Sequence, residues 1–335
     1  MIRTVTIGTS KAISRVKSVL KNNYHINMVY GEDFFSKNLL SIKDLYEIQN
    51  ADLALFFGTW GSTFDKRQWH PQNNLRRQAW LENINTFFTN VLDSNVLDSY
   101  DKKYIVFETG SLCRIRSAIT GTTHWKDETP YYYRMGLNHW TYGRGKFCKP
   151  KEDRLEKFIT ENPKVKKHLS NQFYNHQWKN NNDGFIVICP GLENDPTSTK
   201  PAEQFVQDSY NEIRKYTDRP IKVKPHPKSS IDYSNYEKIP DTTTFKNLSG
   251  KMYCAVLDNS TSIFELTFLG IPCFTSSANF GYKLGNSDLS KINDINYNTP
   301  EQMKEWYNEM AHTEFTLDEI GNDKILKKIE ELIDG

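Results

Sequence analysis

Residues Asp258 to Pro272 read Asp-Asn-Ser-Thr-Ser-Ile-Phe-Glu-Leu-Thr-Phe-Leu-Gly-Ile-Pro, and no other stretch narrows the possible folds as much. A β-like apolar run precedes it, Met252 to Leu257, and another follows, Ile271 to Phe274. Between them Ile263, Leu266, Phe268 and Leu269 recur at helical spacing, with Ser260 or Ser262 placed to cap the helix. Gly270-Ile-Pro then stops the helix and starts the next strand. The pattern predicts a strand, a short helix and a second strand. A helix starting in such a turn directs unpaired N–H groups and partial positive charge outward, which suits a phosphate or diphosphate. Ser260, Thr261 and Ser262 are therefore candidate anion-binding residues, and Glu265, one turn inside, is placed to reach ribose hydroxyls. The alternative is a plain capped helix with Glu265 in solvent.

A second segment bears on that choice. Ile221 to Pro227 reads Ile-Lys-Val-Lys-Pro-His-Pro, a short strand alternating apolar and basic residues and closed by two prolines around His226. A histidine at the carboxyl end of a strand is well placed to donate to a phosphate oxygen, with Lys224 or Lys228 adding charge.

Taken together, the Lys-Pro-His-Pro turn, the Ser-rich turn, the helix with its Glu and the closing Gly-Ile-Pro resemble the donor half of GT-B glycosyltransferases and of capsule or teichoic-acid polymer transferases. The resemblance covers roughly residues 185–274. It implies that His226, the Ser-rich helix start and Glu265 hold the diphosphate and ribose of a nucleotide-sugar, the donor being a UDP-sugar.

The chain has 335 residues, enough for two domains with separate cores, and 13% of them are aromatic, which excludes a disordered chain. No run approaches the length of about 18 apolar residues that a membrane span needs. The first residues, Met-Ile-Arg-Thr-Val-Thr-Ile-Gly, read as a strand rather than a secretory leader. Five cysteines, 113, 148, 189, 254 and 273, lack paired spacing. They fit buried free thiols in a reducing compartment, and no metal site is expected. Charge is uneven: residues 1–150 carry 20 Lys+Arg against 13 Asp+Glu, and residues 151–335 carry 23 against 28. Either the positive surface receives a polyanion such as DNA, or the excess is ordinary scatter.

In chain order, Thr4 to Gly8 predicts a strand, Ala12 to Leu20 a helix, Met28 to Tyr30 a second strand, residues 39–49 a second helix and Ala51 to Phe57 a third strand. This alternation predicts a Rossmann-like first domain. The loop after the third strand interleaves aromatic and basic residues. Trp60, Lys66, Arg67 and Trp69, with Arg76 and Arg77 opening the next helix, are candidates for base stacking and phosphate contact. The same residue types also pack loops onto cores. Lys103 to Phe107 is the next strand, followed by Glu108-Thr-Gly110. Glu108 is the first candidate for a general base and Asp65 the second, with a structural role for Glu108 left open. Tyr131 to Phe147 is read as a mobile polar and aromatic loop that can grip a ring or phosphate through Trp140 and Arg144.

Phe-Glu-Thr-Gly, Tyr-Tyr-Arg-Met-Gly-Leu-Asn, Gly-Arg-Gly and the strand Phe185 to Cys189 with Pro190-Gly191 are together similar to a group of phage-encoded glycosyltransferases. Some relatives of that group modify hydroxymethylated pyrimidines in viral DNA. The match covers mainly residues 104–191, and the acidic, hydroxylated Leu192 to Thr199 departs from the pattern. Residues 151–182 are read as a crossover helix and an exposed linker. Then come strand 185–189, helix 202–216 and strand 221–223, and helices 300–311 and 316–333 close the chain.

The expected architecture is α/β, two Rossmann-like domains of GT-B type with a cleft between them. Residues 1–180 form an acceptor domain, 181–315 a nucleotide-sugar donor domain, and 316–335 a helix packing across both. The expected activity is transfer from a UDP-sugar, glucose or arabinose type, to the hydroxymethyl group of a pyrimidine in double-stranded phage DNA, 5-hydroxymethylcytosine first. His226 joins Glu108 and Asp65 as a catalytic candidate, no metal is required, and Trp60, Trp69 or Trp140 supports the flipped base. The resemblance places such an enzyme in the cytoplasm of an infected bacterium. The rivals are a capsule or teichoic-acid polymer transferase and a non-catalytic nucleic-acid-binding protein.

Overall fold

A computed structural model describes residues 4–7, 23–26, 53–57, 103–110, 112, 115–120, 132–137, 154–161, 172–192, 198–227, 229–277, 279–316 and 319. The chain forms two compact units, and each is discontinuous. The first takes residues 1–110, 131–148 and 313–335; the second takes 111–130 and 149–312. The single boundary expected near residue 180 does not describe this division, because 111–130 and 149–180 belong with the carboxyl-terminal unit.

The first unit is built on a six-stranded sheet. Strands β1 (Thr4–Ile7), β2 (Asn23–Ile26), β3 (Leu53–Phe57) and β4 (Lys103–Thr109) run parallel in the order β2-β1-β3-β4. The second strand lies at 23–26, ahead of the Met28 to Tyr30 expected from sequence. Part of the expected 131–147 loop is instead strand β5 (Tyr132–Leu137), antiparallel to β4, and the later β11 (Glu314–Thr316) adds antiparallel to β5. The sheet is thus mixed. The same pairing corrects the expected start of a helix at 316, since Thr316 is a strand residue in register with Tyr132.

The second unit carries a wholly parallel sheet in the order β10-β9-β6-β7-β8. Its strands are β6 (Phe185–Cys189), β7 (Ile221–Val223), β8 (Glu237–Lys238), β9 (Met252–Leu257) and β10 (Cys273–Thr275). Every residue of β9 is buried, as expected of a central strand covered on both faces. Helix α1 (Ile115–Thr120) belongs to this unit, followed by α2 (Arg154–Glu161), α3 (Ala202–Arg214), α4 (Phe245–Leu248), α5 (Ser262–Phe268) and α6 (Pro300–Ala311). No helix among the described residues is long and apolar enough to cross a membrane.

Packing explains why α2 sits in this unit. Its apolar stripe, Leu155, Phe158 and Ile159, is buried. Arg154 Nε donates to the Ala311 carbonyl at 3.0 Å, and Leu155 N–H donates to Asn308 Oδ1 at 3.1 Å, tying α2 to α6. The start of α6 is fixed by a capping box: Gln302 N–H donates to Thr299 Oγ1, Thr299 N–H donates to Gln302 Oε1, and Pro300 occupies the first turn. The main core joins Ile186, Ile188, Val206, Ile213, Val223, Val256 and Phe274 between the sheet and α3. Cys189, Cys254 and Cys273 are buried free thiols on three neighbouring strands.

Candidate functional site

Numbered from β6, the second sheet has the order 3-2-1-4-5. The direction in which successive strands are added therefore reverses between β6 and β9, and loops leaving their carboxyl ends diverge to open a crevice. Five candidates from the sequence stand on that edge: Lys224 and His226 follow β7, and Ser260, Thr261 and Ser262 follow β9. Strands β7 and β9 both flank β6. Their trailing loops are then two strand spacings apart, about 10 Å, within reach of one diphosphate-containing ligand.

Lys224 is 8% exposed. Its N–H donates to the Ile188 carbonyl at 2.9 Å, fixing the loop to β6, and its ammonium lies 5.4 Å from the centre of the Phe245 ring. No carboxylate or other acceptor among the described residues meets that ammonium. A buried cation without a counter-ion is costly, and an arriving anion removes the cost. Glu265, on the first turn of α5, is 7% exposed, so it is not the solvated residue of the plain-helix alternative. Cys189 at the end of β6 senses both charges. Burial pushes its thiol up to about 12, Lys224 pulls it down and Glu265 pushes it further up. The thiol is therefore protonated at neutral pH and no nucleophile.

The β9–α5 turn has the expected form. Ser260 Oγ accepts from Ser262 N–H at 3.2 Å, but the N-cap position falls to Thr261, whose side chain makes no cap bond, and not to the expected Ser260 or Ser262. Thr261 precedes the helix with φ −69°. Among the described residues nothing accepts from the N–H of Ser260 or Thr261, and residues 260–262 are half-buried. His226 is half-buried between its prolines, and its carbonyl accepts from Ser229 N–H at 2.8 Å.

Beneath the turn lies a set of buried polar groups whose role local sequence pattern does not announce. The Asp258 carboxylate, 1% exposed, accepts from Thr199 N–H at 2.8 Å and Thr199 Oγ1 at 2.6 Å, joining the loop after β6 to the turn after β9. Ser276 Oγ donates to the Asp258 carbonyl at 3.2 Å, bringing in the loop after β10. Gly191 lets these loops meet, because a Cβ there would lie 2.7 Å from Asn259 Oδ1 and 3.0 Å from Ser198 Oγ. The signal in the sequence is the pairing of Asp258 with a hydroxylated Ser198-Thr199, too distant along the chain for local pattern to connect. Beside these loops a cavity of about 300 Å³ is lined by Thr199, Lys200, Leu257, Thr275 and Ser276 along with α3. Its Thr275 Oγ1 is buried with no partner among the described residues.

The other candidates are not brought to this edge by anything described. Glu108 lies within β4 of the first unit, its backbone in register with Arg134 of β5. Asp65, Trp60, Lys66, Arg67, Trp69, Arg76, Arg77, Trp140 and Arg144 lie outside the described residues, as does Lys228. Among the described residues no three His, Cys, Asp or Glu side chains are grouped to hold a metal ion.

The second unit is thus a doubly wound α/β unit with an anion-suited crevice at its switch point. No protein-family model and no curated protein matches the sequence. Among solved structures, the β-Kdo 2,7 transferase KpsC of Thermosulfurimonas dismutans is 12% identical, over 98% of this chain and 99% of that one, with a TM-score of 0.47. The UDP-GlcNAc 2-epimerase of Methanocaldococcus jannaschii is 11% identical over 99% and 100%, at a TM-score of 0.29. The wall teichoic acid polymerase TagF is 11% identical over 99% and 88%, at 0.24. At these scores the description of the fold rests on the strands and their register.

Proposed function

We propose that this protein is a glycosyltransferase that takes its sugar from a nucleotide-diphosphate donor, a UDP-sugar. The observation that carries the reading is Lys224, buried at the carboxyl end of β7 without a counter-ion among the described residues. Across β6 stand the N–H groups of Ser260 and Thr261, which have no acceptor among those residues either. In the transfer, the bond from the anomeric carbon to the diphosphate oxygen breaks and that carbon bonds to an acceptor hydroxyl. The hydroxyl proton passes to a base, for which Glu108 and then Asp65 are the proposed residues. The electron pair stays with the departing UDP. Lys224, His226 and the turn amides stabilise that growing negative charge more than they stabilise the intact donor, which is the condition for lowering a barrier. Glu265 holds the ribose hydroxyls.

For the acceptor we propose a polymer hydroxyl of the capsule or teichoic-acid kind. Among the residues resembling those transferases, Lys224, His226, Ser260 to Ser262 and Glu265 are the ones described at the crevice. KpsC and TagF, a Kdo transferase and a teichoic acid polymerase by name, are of the same kind. The second reading is a hydroxymethylpyrimidine in DNA, favoured by the 20 Lys+Arg against 13 Asp+Glu of residues 1–150.

The test is incubation with a panel of UDP-sugars and either polyol-phosphate polymer or hydroxymethylated duplex, followed by mass spectrometry of the digested products. Sugar on the polymer supports the first acceptor, and sugar on the modified nucleoside the second. Tight binding to DNA that stays unmodified, without UDP-sugar consumption, would return the protein to the non-catalytic nucleic-acid-binding class.

A further inference from the structure

Asn279, in the loop after β10, is 1% exposed, and sequence pattern alone assigns its side chain no role. Its Nδ2 donates to the Asp258 carbonyl at 2.7 Å and to the Ser260 carbonyl at 3.1 Å, while its Oδ1 accepts from Gly281 N–H at 2.9 Å. In a trans peptide the C=O and N–H point in opposite directions. Drawing the Ser260 carbonyl toward Asn279 therefore turns the Thr261 N–H the other way, and that N–H has no acceptor among the described residues. The hold on the Asp258 carbonyl fixes the peptide two residues earlier in the same manner.

We propose that Asn279 is a positioning residue of the donor site: its amide sets the peptide plane that presents the Thr261 N–H to the donor's diphosphate. The inference rests on the functional reading above. Lys224 marks the same edge independently, since it is 8% exposed and has no counter-ion among the described residues. The residue type follows from what the position must do. It needs one donor group for two carbonyls and one acceptor for Gly281 N–H, and it must carry no negative charge beside an anion. A side-chain amide meets all three requirements; a carboxylate lacks the donor, and an ammonium lacks the acceptor.

Calorimetric titration of UDP and of uridine into the wild-type chain, Asn279→Ala and Thr261→Pro tests the proposal. Thr261 has φ −69°, already the proline value, so Thr261→Pro deletes the N–H and keeps the angle. Each variant should bind UDP about tenfold more weakly and hold uridine within about twofold of wild type. Loss of uridine in proportion to UDP would mean scaffold damage and overturn the assignment, as would a folded variant that binds UDP like wild type. Should Asn279→Ala not fold, Thr261→Pro decides alone. A wild-type chain that binds neither UDP nor uridine overturns the functional reading itself, an outcome distinct from failure of the variants.

Discussion

The two edges of the second sheet are made from the same strands and behave in opposite ways. Along the amino-terminal edge, residues 176–184 form a strap, and Lys179, Trp178 and Asn181 pair it to the rest of the unit. Lys179 N–H donates to the Gly270 carbonyl at 2.7 Å, and Trp178 Nε1 donates to the Asn298 carbonyl at 2.8 Å. Asn181 Nδ2 reaches the Met252 carbonyl at 2.7 Å and the Ser249 carbonyl at 3.1 Å. His176, 4% exposed, is packed against Trp178 with ring centres 4.3 Å apart. Burial lowers its pKa to about 4, against the opposing effect of a hydrogen bond to Gln172, so it is neutral at pH 7. Along the carboxyl edge the buried base is Lys224, and the turn leaves two N–H groups without acceptors among the described residues. One edge is tied down by the chain itself; the other is suited to an anion from outside it.

Substitutions at the two edges should therefore differ in kind. The largest effect is expected at Gly270, which has φ +76° and where a Cβ would lie 2.4 Å from the Gln177 carbonyl oxygen. Gly270→Ala should cost about 3–4 kcal/mol in urea unfolding, from the left-handed backbone and the backbone clash together. A loss under about 1 kcal/mol would show that the strap is not tightly seated.

Next is the pH response of His176. Its folded pKa, about 4, lies below the ordinary histidine value of 6.5. Between those values the unfolded chain binds the extra proton, so stability is complete above pH 6.5 and falls as pH drops toward 4. The loss should be on the order of 3 kcal/mol. Urea midpoints at stepped pH read it, and in His176→Leu that slope should vanish whatever the baseline.

Lys224→Met should invert the usual pattern. Removing an uncompensated buried charge should leave stability unchanged or raise it by about 1 kcal/mol, while UDP affinity falls by about 2 kcal/mol. Lower stability with intact affinity would move Lys224 to the structural class. The smallest effect is expected for Glu265→Gln, about 1 kcal/mol weaker for UDP with little change for inorganic pyrophosphate, because a ribose contact does not involve the phosphates. Equal losses for both ligands would take Glu265 off the ribose.

Sequence pattern reaches this sheet because its strands are uniform apolar runs. Met252 to Leu257 and Phe185 to Cys189 are strands with the predicted limits, and the predicted short helix follows as α5, with Thr261 at its N-cap in place of Ser260 or Ser262. The segment of β5 reads as a loop because Tyr132 to Leu137 mixes arginine and glycine with aromatics. What holds it is pairing with β4 and with β11, the latter far along the chain, which no local period encodes. Asp258 and Asn279 escape local pattern for the same reason: their partners lie 59 and 21 residues away. Lys224 and His226 can be named from sequence, since two prolines and a strand end are local signals. The burial of Lys224 cannot, because it depends on Ile188 and Phe245 arriving from elsewhere in the chain.

The interleaving of the two units along the chain has a consequence for synthesis. Between residues 110 and 313 the polypeptide crosses from one unit to the other and back twice. A ribosome delivering the amino end first cannot finish the first unit early, because β5 waits for β11, and the second unit lacks α6 until residue 311 has emerged. Both units must mature almost together, after release of most of the chain, and a fragment opened at residue 181 would leave α6 without the helix that caps its far end.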